Sequence, residues 1–421
     1  MPTSALFSTD FLNADFFQKN RKAVLQAMKK NSLAVLSATQ LNPPEYNPKY
    51  DWRQNTDFYY LCGITDADCF LLLAKGEKEE ESTLYIPEYD AVLERWEGKI
   101  LEAKEATKIS GIEQIFPKSY FYNHLHKILS KQESIYVQEK SSPILGGISA
   151  YEKLLSEITL HNPTLKRENV NSILDPLRWI KQPEEIALIK KAISITVASF
   201  QEAAQKIIPG NFEYEIEAEI AYGYRKRGAA GHAFPAIIGA GENSCFLHYT
   251  KNLSQLKKED VLLLDSGATY QKYHADITRT FPVGGKFTAE AENYYALNLE
   301  IQKKVLEGLK VGMTFTEYFA LCTHHQNEIL TQAKVIKNEA ERKKYTIHNV
   351  GHSLGLDVHD RFCMDYQFQI GSLITVEPGL YFPEKKIGIR VEDDVLFTKN
   401  GIEILTAAAP KELKEVEKMV G

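Results

Sequence analysis

Long apolar runs, paired cysteines and a secretory leader are all missing from this sequence of 421 residues. Nowhere do 18 apolar residues follow one another without interruption, so no transmembrane helix is predicted. The five cysteines are scattered without a CxxC pair, which argues against a disulfide framework and favours a reducing compartment. The first residues contain no basic segment followed by an apolar run, so no signal peptide is predicted and a cytoplasmic protein is expected.

An excess of positive charge is missing as well. The chain carries 50 lysines and arginines against 56 aspartates and glutamates, a formal net charge of −6 at pH 7. This balance gives no electrostatic reason to expect nucleic acid as a partner. The composition is ordinary for a globular protein, and the length allows two domains, each with a sizeable core.

Helical and strand-like segments alternate in the first part of the chain. An amphipathic helix is predicted at FFQKNRKAVLQAMKK, and short strands at SLAVLSA, FLLLAK and STLYIPE. Residues 1–172 are therefore predicted to form an α/β domain. Pro183 near the start of a long amphipathic run predicts the opening helix of a second domain, residues 173–421. Helices and antiparallel hairpins are mixed there, which is typical of an α+β fold.

Two aspartates accompany apolar strands in VLLLDSGATYQKYHADITRTF. Asp265 ends a buried strand, and Asp276 lies on a second strand that a hairpin could bring face to face with the first. A carboxylate at the end of a buried strand needs a partner charge or a metal ion. A single aspartate in such a place is more often a turn or cap residue, so this pair alone identifies no site.

Three histidines, His348, His352 and His359, lie within twelve positions in TIHNVGHSLGLDVHD. The glycines around them let the backbone approach a site closely. A lone histidine is usually structural, but a group of three indicates a site. In a helix, the spacing would place His348 and His352 on one face. Because of the glycines between them, a loop or a strand is an equally good prediction for this segment.

Further carboxylates end or follow apolar strands near the C-terminus. Glu377 ends a strand before a Pro-Gly turn in SLITVEPGLYF. In GIRVEDDVLF, strand alternation places Arg390, Glu392 and Asp394 on one face and Asp393 on the other. A solvated edge would explain the acidic run, but the apolar VLF after it favours a strand that enters the core.

Together these segments offer four carboxylates and one imidazole as candidate metal ligands: Asp265, Asp276, His352, Glu377 and Glu392. An oxygen-rich set favours Mn²⁺, Co²⁺ or Fe²⁺ over structural zinc, which prefers Cys and His. Carboxylates can bridge two ions, and ions roughly 3.5–4 Å apart hold a hydroxide for attack on a carbonyl. The residues therefore predict a hydrolytic dimetal site.

Five ordered segments resemble the successive motifs of the proline-specific pita-bread metallopeptidases. They are HYT at His248, LLLDSGATYQKYHADITRTF, HNVGHSLGLDVHD, TVEPGLY and GIRVEDD. The segments RQNTDFYYLCGI from Arg53 and ERWEGK from Glu94 resemble the N-terminal domain of the Xaa-Pro aminopeptidase (aminopeptidase P) family. The resemblance implies an α/β N-terminal domain followed by an α+β pita-bread, creatinase/aminopeptidase-like catalytic domain.

The same resemblance implies two divalent metal ions per subunit, with Mn²⁺ preferred over Co²⁺, Zn²⁺ or Fe²⁺. Asp276 and Glu392 would bridge both ions, Asp265 would complete one, and His352 with Glu377 the other. A hydroxide between the ions would attack the bond between any N-terminal residue and a following proline. The implied partners are peptides with proline at the second position, and a homodimer or homotetramer is expected.

Other matched positions receive catalytic and substrate-binding roles from the resemblance. Glu377 would carry a proton to the leaving proline nitrogen, and His248 and His359 would shuttle protons and steady the substrate. The residues assigned to substrate binding are His248, His348, His359, Tyr381, Arg390 and Trp96, and Arg390 also counts as catalytic. Trp96 matches a tryptophan that reaches a neighbouring subunit's site, and Arg53 is a further matched position. His232, His274, His324 and His325 are not assigned to the site.

Several alternatives remain open at this point. Prolidase shares the fold, the ligands and the preference for proline but cleaves only dipeptides. Methionine aminopeptidase shares the ligands but not an N-terminal domain of this size, and creatinase catalyses a metal-free reaction. A catalytically inactive pita-bread binding module is the alternative from a different class, and the intact set of five ligands argues against it.

Overall fold

We describe the fold from a computed structural model, and the described residues are 12–39, 53–138 and 150–420. The chain forms two compact units, one made of the described residues up to Leu177 and one that begins at Arg178. The helix Asn171–Trp179 contains both this position and the expected division after residue 172. The exact limit of each domain therefore stays a prediction.

A mixed sheet with helices forms the first unit. Its strands are β1 Ser32–Ser37, β2 Phe70–Lys75, β3 Glu80–Ile86, β4 Gln114–Pro117, β5 Ser134–Val137 and β6 Lys166–Asn169. Its helices are α1 Ala14–Ala27, α2 Thr56–Cys62, α3 Ala91–Glu97, α4 Ala103–Ser110, α5 Phe121–Leu129, α6 Ala150–His161 and α7 Asn171–Trp179. The strand order is β4-β3-β2-β1-β5-β6, with β1 antiparallel to β2 and parallel to β5. The predicted α/β architecture is confirmed.

Local sequence explains the elements at the centre of this unit. Asn13 caps α1 by accepting a hydrogen bond from the backbone N–H of Phe16, and Phe17 and Val24 point into the core. The apolar run of β2 is buried along most of its length, since β2 pairs with a neighbour on each side. The predicted helix and the three predicted strands are all present.

Antiparallel pairings dominate the second unit. Its helices are α8 Pro183–Ala204, α9 Glu213–Lys226, α10 Ala289–Gly308, α11 Phe315–Gln332 and α12 Leu413–Met419. Its strands are β7 Gly231–His232, β8 Ile237–Ala240, β9 Val261–Ser266, β10 Ala268–Tyr270, β11 Tyr273–His274, β12 Ile277–Pro282, β13 Leu373–Val376, β14 Gly379–Phe382, β15 Ile387–Arg390, β16 Asp393–Thr398 and β17 Gly401–Ile404. The sheet orders are β11-β10-β7, β12-β9-β8, β13-β16-β17 and β14-β15. This confirms the α+β prediction.

Helix α8 begins as the sequence predicts. Pro183 occupies its first turn, and the Glu185 carboxylate accepts a hydrogen bond of 2.8 Å from the backbone N–H of Gln182. All five cysteines are free thiols, four of them buried and Cys363 exposed, as expected of a chain without a disulfide framework. Among the described residues, no helix has both the length and the apolar composition to span a bilayer.

Candidate metal centre

Strands β9 and β12 bring the first two predicted ligands together. The strands pair antiparallel, with Thr278 opposite Asp265, and Asp276 directly precedes β12. The connection is longer than a simple hairpin, because β10 and β11 form a small antiparallel pair within it. At its base, a Cβ added to Gly267 would lie 1.7 Å from the carbonyl oxygen of Ala275, so only glycine fits there.

Three of the predicted ligands converge closely enough to hold one metal ion. Donor atoms of Asp276, His352 and Glu392 all lie within 4.8 Å of one another, and both carboxylates are buried. His352 Nε2 lies 3.4 Å from Asp276 Oδ2 and 3.6 Å from Glu377 Oε1. These separations are longer than an ordinary hydrogen bond, so the donors face one another without bonding directly.

Asp265 lies near Asp276 and Glu392, whose pKa values its charge raises. Its Oδ2 accepts a hydrogen bond of 2.6 Å from Arg390 Nη2, whereas its buried Oδ1 has no hydrogen-bond partner. An unpaired buried carboxylate oxygen is costly unless a cation satisfies it. The five side chains are thus gathered at one place, with a free oxygen available for an ion.

Two threonines orient the acidic side chains. Thr278 Oγ1 donates to Glu392 Oε2 at 2.6 Å and accepts from Arg390 Nε at 3.1 Å. Thr375 Oγ1 donates to Glu377 Oε1 at 3.3 Å and accepts from the backbone N–H of His352 at 3.0 Å. Sequence reasoning missed both residues. The available signal was spacing, because each threonine is two positions from a predicted ligand and shares its strand face.

The electrostatics of the cluster are strongly unbalanced. Burial raises the pKa of Asp276 well above its usual range, and the charges of Asp265 and Asp394 raise it further. The pKa of Glu392 is raised well above its usual range by burial and then by Asp276. The pKa of Glu377 is raised by burial, although His352 and Arg390 oppose the shift. The carboxylates together carry more negative charge than the one guanidinium in contact with them, that of Arg390, can balance. The residues therefore fit a divalent cation.

A hydrogen-bonded chain of three side chains leads away from the carboxylates. Arg390 Nη1 donates to the Tyr381 hydroxyl at 2.8 Å, and that hydroxyl lies 2.9 Å from His348 Nε2. Because His348 Nδ1 contacts the carbonyl oxygen of Asn349, it carries the proton, and Nε2 accepts from Tyr381. Burial and the nearby Arg390 lower the pKa of His348 to about 3, so this imidazole is neutral.

Two exposed histidines lie beside the ligand cluster. The rings of His359 and His352 meet edge to face with centroids 4.2 Å apart. Partial burial, His352 and His248 together lower the pKa of His359 to about 4. His248 also lowers the pKa of His348, so it lies near both of them. Both exposed rings are available to a molecule that approaches the carboxylates.

The loop that carries His352 and His359 has an anchor that the sequence did not reveal. Asp360 Oδ1 lies 2.5 Å from Arg178 Nη2, and its Oδ2 lies 3.0 Å from Lys181 Nζ. A Cβ added to Gly355 would approach Asp360 Oδ2 to 2.1 Å. No local pattern could have predicted these contacts, because Arg178 and Asp360 are 182 positions apart.

The remaining predicted residues fall into separate places. Trp96 belongs to α3 of the first unit, where it is 82% exposed, and Arg53 is an exposed residue of the same unit. Their assignment to a site stays a prediction. His274 is buried in β11, where its backbone N–H donates to the Gly355 carbonyl oxygen. His324 and His325 lie in α11.

Comparison with known proteins adds to this geometry. The model of metallopeptidase family M24 matches residues 187–399, and that of the aminopeptidase P N-terminal domain matches residues 17–136. The chain is 32% identical to the Xaa-Pro aminopeptidase of Haemophilus influenzae, with 96% of each protein covered. It is also 32% identical to the Escherichia coli Xaa-Pro aminopeptidase, over 96% of this chain and 97% of the relative.

Solved structures agree with these relatives. A Bacillus anthracis structure attributed to aminopeptidase P has a TM-score of 0.93 at 32% identity, covering 97% of this chain and 98% of the other. Escherichia coli aminopeptidase P with the inhibitor Pro-Leu has a TM-score of 0.88 at 29% identity, covering 96% and 98%. The predicted combination of an aminopeptidase P N-terminal domain with a pita-bread catalytic domain is confirmed.

Proposed function

Since this chain belongs to metallopeptidase family M24 and is a metal-dependent peptidase, we propose that it removes the first residue of peptides whose second residue is proline. The observation that carries the proposal is the convergence of Asp276, His352 and Glu392 within 4.8 Å. The likeness to Escherichia coli aminopeptidase P, solved with the inhibitor Pro-Leu, supports proline-containing peptides as substrates.

The proposed cofactor is a pair of divalent ions, with Mn²⁺ preferred over Co²⁺, Zn²⁺ or Fe²⁺. The proposed ligands are Asp265, Asp276, His352, Glu377 and Glu392, of which Asp276 and Glu392 would be shared. Support comes from the unpaired Asp265 Oδ1 and from the raised pKa values of Asp276 and Glu392. When bound, such ions activate a water molecule as the nucleophile and polarise the scissile carbonyl.

Proton transfer is assigned to Glu377. Cleavage before proline requires a proton at the leaving ring nitrogen, because an amine leaves readily whereas an amide anion does not. A carboxyl group that is to pass on a proton needs a raised pKa, and burial raises that of Glu377. Its hydrogen bond from Thr375 fixes the carboxylate in place.

Substrate binding is assigned to the side chains beyond the carboxylates. His248 and His359 are exposed beside the cluster, where they would steady the substrate and exchange protons. Arg390, Tyr381 and neutral His348 form a connected hydrogen-bonded chain that would line the proline side.

Assembly and location complete the proposal. We infer a homodimer or homotetramer in which Trp96 reaches a neighbouring subunit, in keeping with its 82% exposure. The proposed domains are residues 1–172 and 173–421. The five free thiols favour the reducing cytoplasm.

A peptide panel tests the proposal. Purified protein should cleave Xaa-Pro-Yaa tripeptides with added Mn²⁺, lose this activity with a chelator, and leave matched Xaa-Ala-Yaa tripeptides nearly intact. Strict cleavage of Xaa-Pro dipeptides would favour prolidase instead. Absence of cleavage with any of the four metals would favour the inactive binding module.

A further inference from the structure

A second group of side chains that could hold a metal ion belongs to the first unit. His126 belongs to α5, while Glu157 and His161 belong to α6 and are separated by one helical turn. Their donor atoms all lie within 4.8 Å of one another. Two helices that pack together therefore present two imidazoles and a carboxylate at one point.

The spacing of the donors fits an ion better than a direct bond. His126 Nε2 is buried without a hydrogen-bond partner and lies 3.5 Å from Glu157 Oε2. Two ligand atoms at about 2.0–2.1 Å from one tetrahedral zinc ion are separated by about 3.4 Å. The same kind of separation, 3.4 Å, occurs between His352 Nε2 and Asp276 Oδ2 in the candidate metal centre.

The second imidazole is held in the tautomer that a metal ligand needs. His161 Nδ1 lies 2.9 Å from the backbone carbonyl oxygen of Glu157. A carbonyl only accepts, so Nδ1, which also lies 3.8 Å from Glu157 Oε2, carries the proton. Nε2 keeps its lone pair and would turn toward the shared ion when the ring tilts. A backbone carbonyl on the other ring nitrogen is the usual partner of a metal-binding histidine.

From these contacts we propose that His126, Glu157 and His161 bind one borderline divalent ion, with Zn²⁺ as the preferred ion. Two imidazoles and one carboxylate suit zinc, and the fourth position is open to water or to a donor from another molecule. The rings are stacked with centroids 3.5 Å apart, and His161 is 41% exposed, so its ring can tilt toward the shared ion. The proposal does not depend on the peptidase activity.

A second surface trio provides a matched control. His324, His325 and Glu328 also have donor atoms within 4.8 Å of one another, but the two histidines are adjacent on one helix. Their rings are tilted by 60° with centroids 5.1 Å apart, and Glu328 is 48% exposed. His325 Nδ1 is likewise buried without a hydrogen-bond partner and lies 3.6 Å from Glu328 Oε2. This trio lacks the support from two helices, so we expect weaker binding there.

The test is Zn²⁺ stoichiometry measured by equilibrium dialysis and elemental analysis on the full chain without an affinity tag. Wild type and His325→Ala should bind one more zinc ion per chain than His161→Ala and Glu157→Gln. Removing a ligand should lower the affinity for this ion by at least about tenfold, since the loss of an outer-shell partner already lowers metal affinity by about 10–100-fold. His126→Ala is a third variant, but its ring is less exposed, so folding is checked by thermal unfolding.

Peptidase activity of the Mn²⁺-loaded protein should be the same in wild type and all these variants. Equal zinc stoichiometry in wild type and His161→Ala would overturn the proposal. The proposal would also be overturned if His325→Ala lost the extra zinc ion while Glu157→Gln kept it.

Discussion

Glu392 and Asp393 are neighbours in sequence and both fully buried, yet their surroundings are opposite. Glu392 faces other carboxylates, and its pKa is raised well above the usual range by burial and by Asp276. Asp393 faces Arg279 at 2.8 Å and Lys411 at 2.5 Å, and these cations hold its pKa below the usual range despite burial. One carboxylate is compensated by the protein and the other is not.

The difference distinguishes an acid that is paired with cations of the fold from a candidate ligand. A raised pKa alone does not mark a ligand, because burial also raises the pKa of Asp394 well above its usual range. Asp360 follows the pattern of Asp393, because Arg178 and Lys181 lower its pKa although burial opposes them. Asp276 follows the pattern of Glu392. A buried acid with its own cations is paired within the fold, whereas a group of buried acids without enough cations needs an external one.

Removing the uncompensated acid should have the largest effect. Glu392→Gln is expected to lower peptidase activity by about 10³-fold or more, because it removes a proposed shared metal ligand. The metal-free variant should be at least as stable as metal-free wild type, since one repelling charge is gone. Activity assays and urea unfolding of chelator-treated protein measure the two quantities. A Glu392→Gln protein with full turnover would contradict the ligand assignment.

Removing the compensated acid should instead cost stability. Asp393→Asn leaves Arg279 and Lys411 without their buried partner, for which about 3–5 kcal/mol of destabilisation is expected. Glu403→Gln is the matched control, since its ion pair with Lys190 is exposed and contributes about 0–1 kcal/mol. Equal unfolding free energies for the two variants would show that the buried ion pairs of Asp393 stabilise the fold no more than the exposed pair of Glu403.

The smallest effect is a difference in pH dependence. A raised carboxyl pKa destabilises the native state at high pH, so the deficit of metal-free wild type relative to Glu392→Gln should shrink as the pH falls through the folded pKa. The slope is about 1.4 kcal/mol per pH unit for each proton. The depressed pKa of Asp393 has the opposite sign, and its stabilisation is lost only below about pH 3.9. Unfolding free energies of metal-free wild type, Glu392→Gln and Asp393→Asn should be measured between pH 8 and 3. Parallel curves of unfolding free energy against pH would contradict the expectation.

Sequence reasoning succeeded where strand patterns are local. The apolar VLF in GIRVEDDVLF predicted a strand that enters the core, and both Glu392 and Asp394 are indeed buried. The prediction of one continuous strand is wrong, because the segment forms β15 and β16 with Val391 and Glu392 between them. The solvated-edge interpretation of this acidic run is wrong, because Asp393 is buried too. The apolar strand ahead of Glu377 and the pairing that brings Asp265 and Asp276 together were also predictable.

Contacts between distant segments were out of reach. The histidine segment from His348 to His359 lies in loops, which spacing alone could not separate from a helix. Its anchor at Asp360 depends on Arg178, and the cations beside Asp393 come from β12 and from the C-terminal segment. The pattern of one sequence predicts which face of a helix or strand is buried, but not which distant residue packs against that face.

Glu392 directly precedes β16, and Asp393 and Asp394 are its first two residues. The different partners of these three side chains constrain how the gene can change. Glu392 points to the ligand cluster, Asp394 accepts from the backbone N–H of Asp276, and Asp393 faces Arg279. A shift of one position along a strand turns every side chain to the opposite face. A single-codon deletion here would therefore remove a ligand and an internal ion pair in one event, while most substitutions affect only one of them. Proteins that descend from this one should therefore accept substitutions near residues 392–394 more readily than insertions or deletions there.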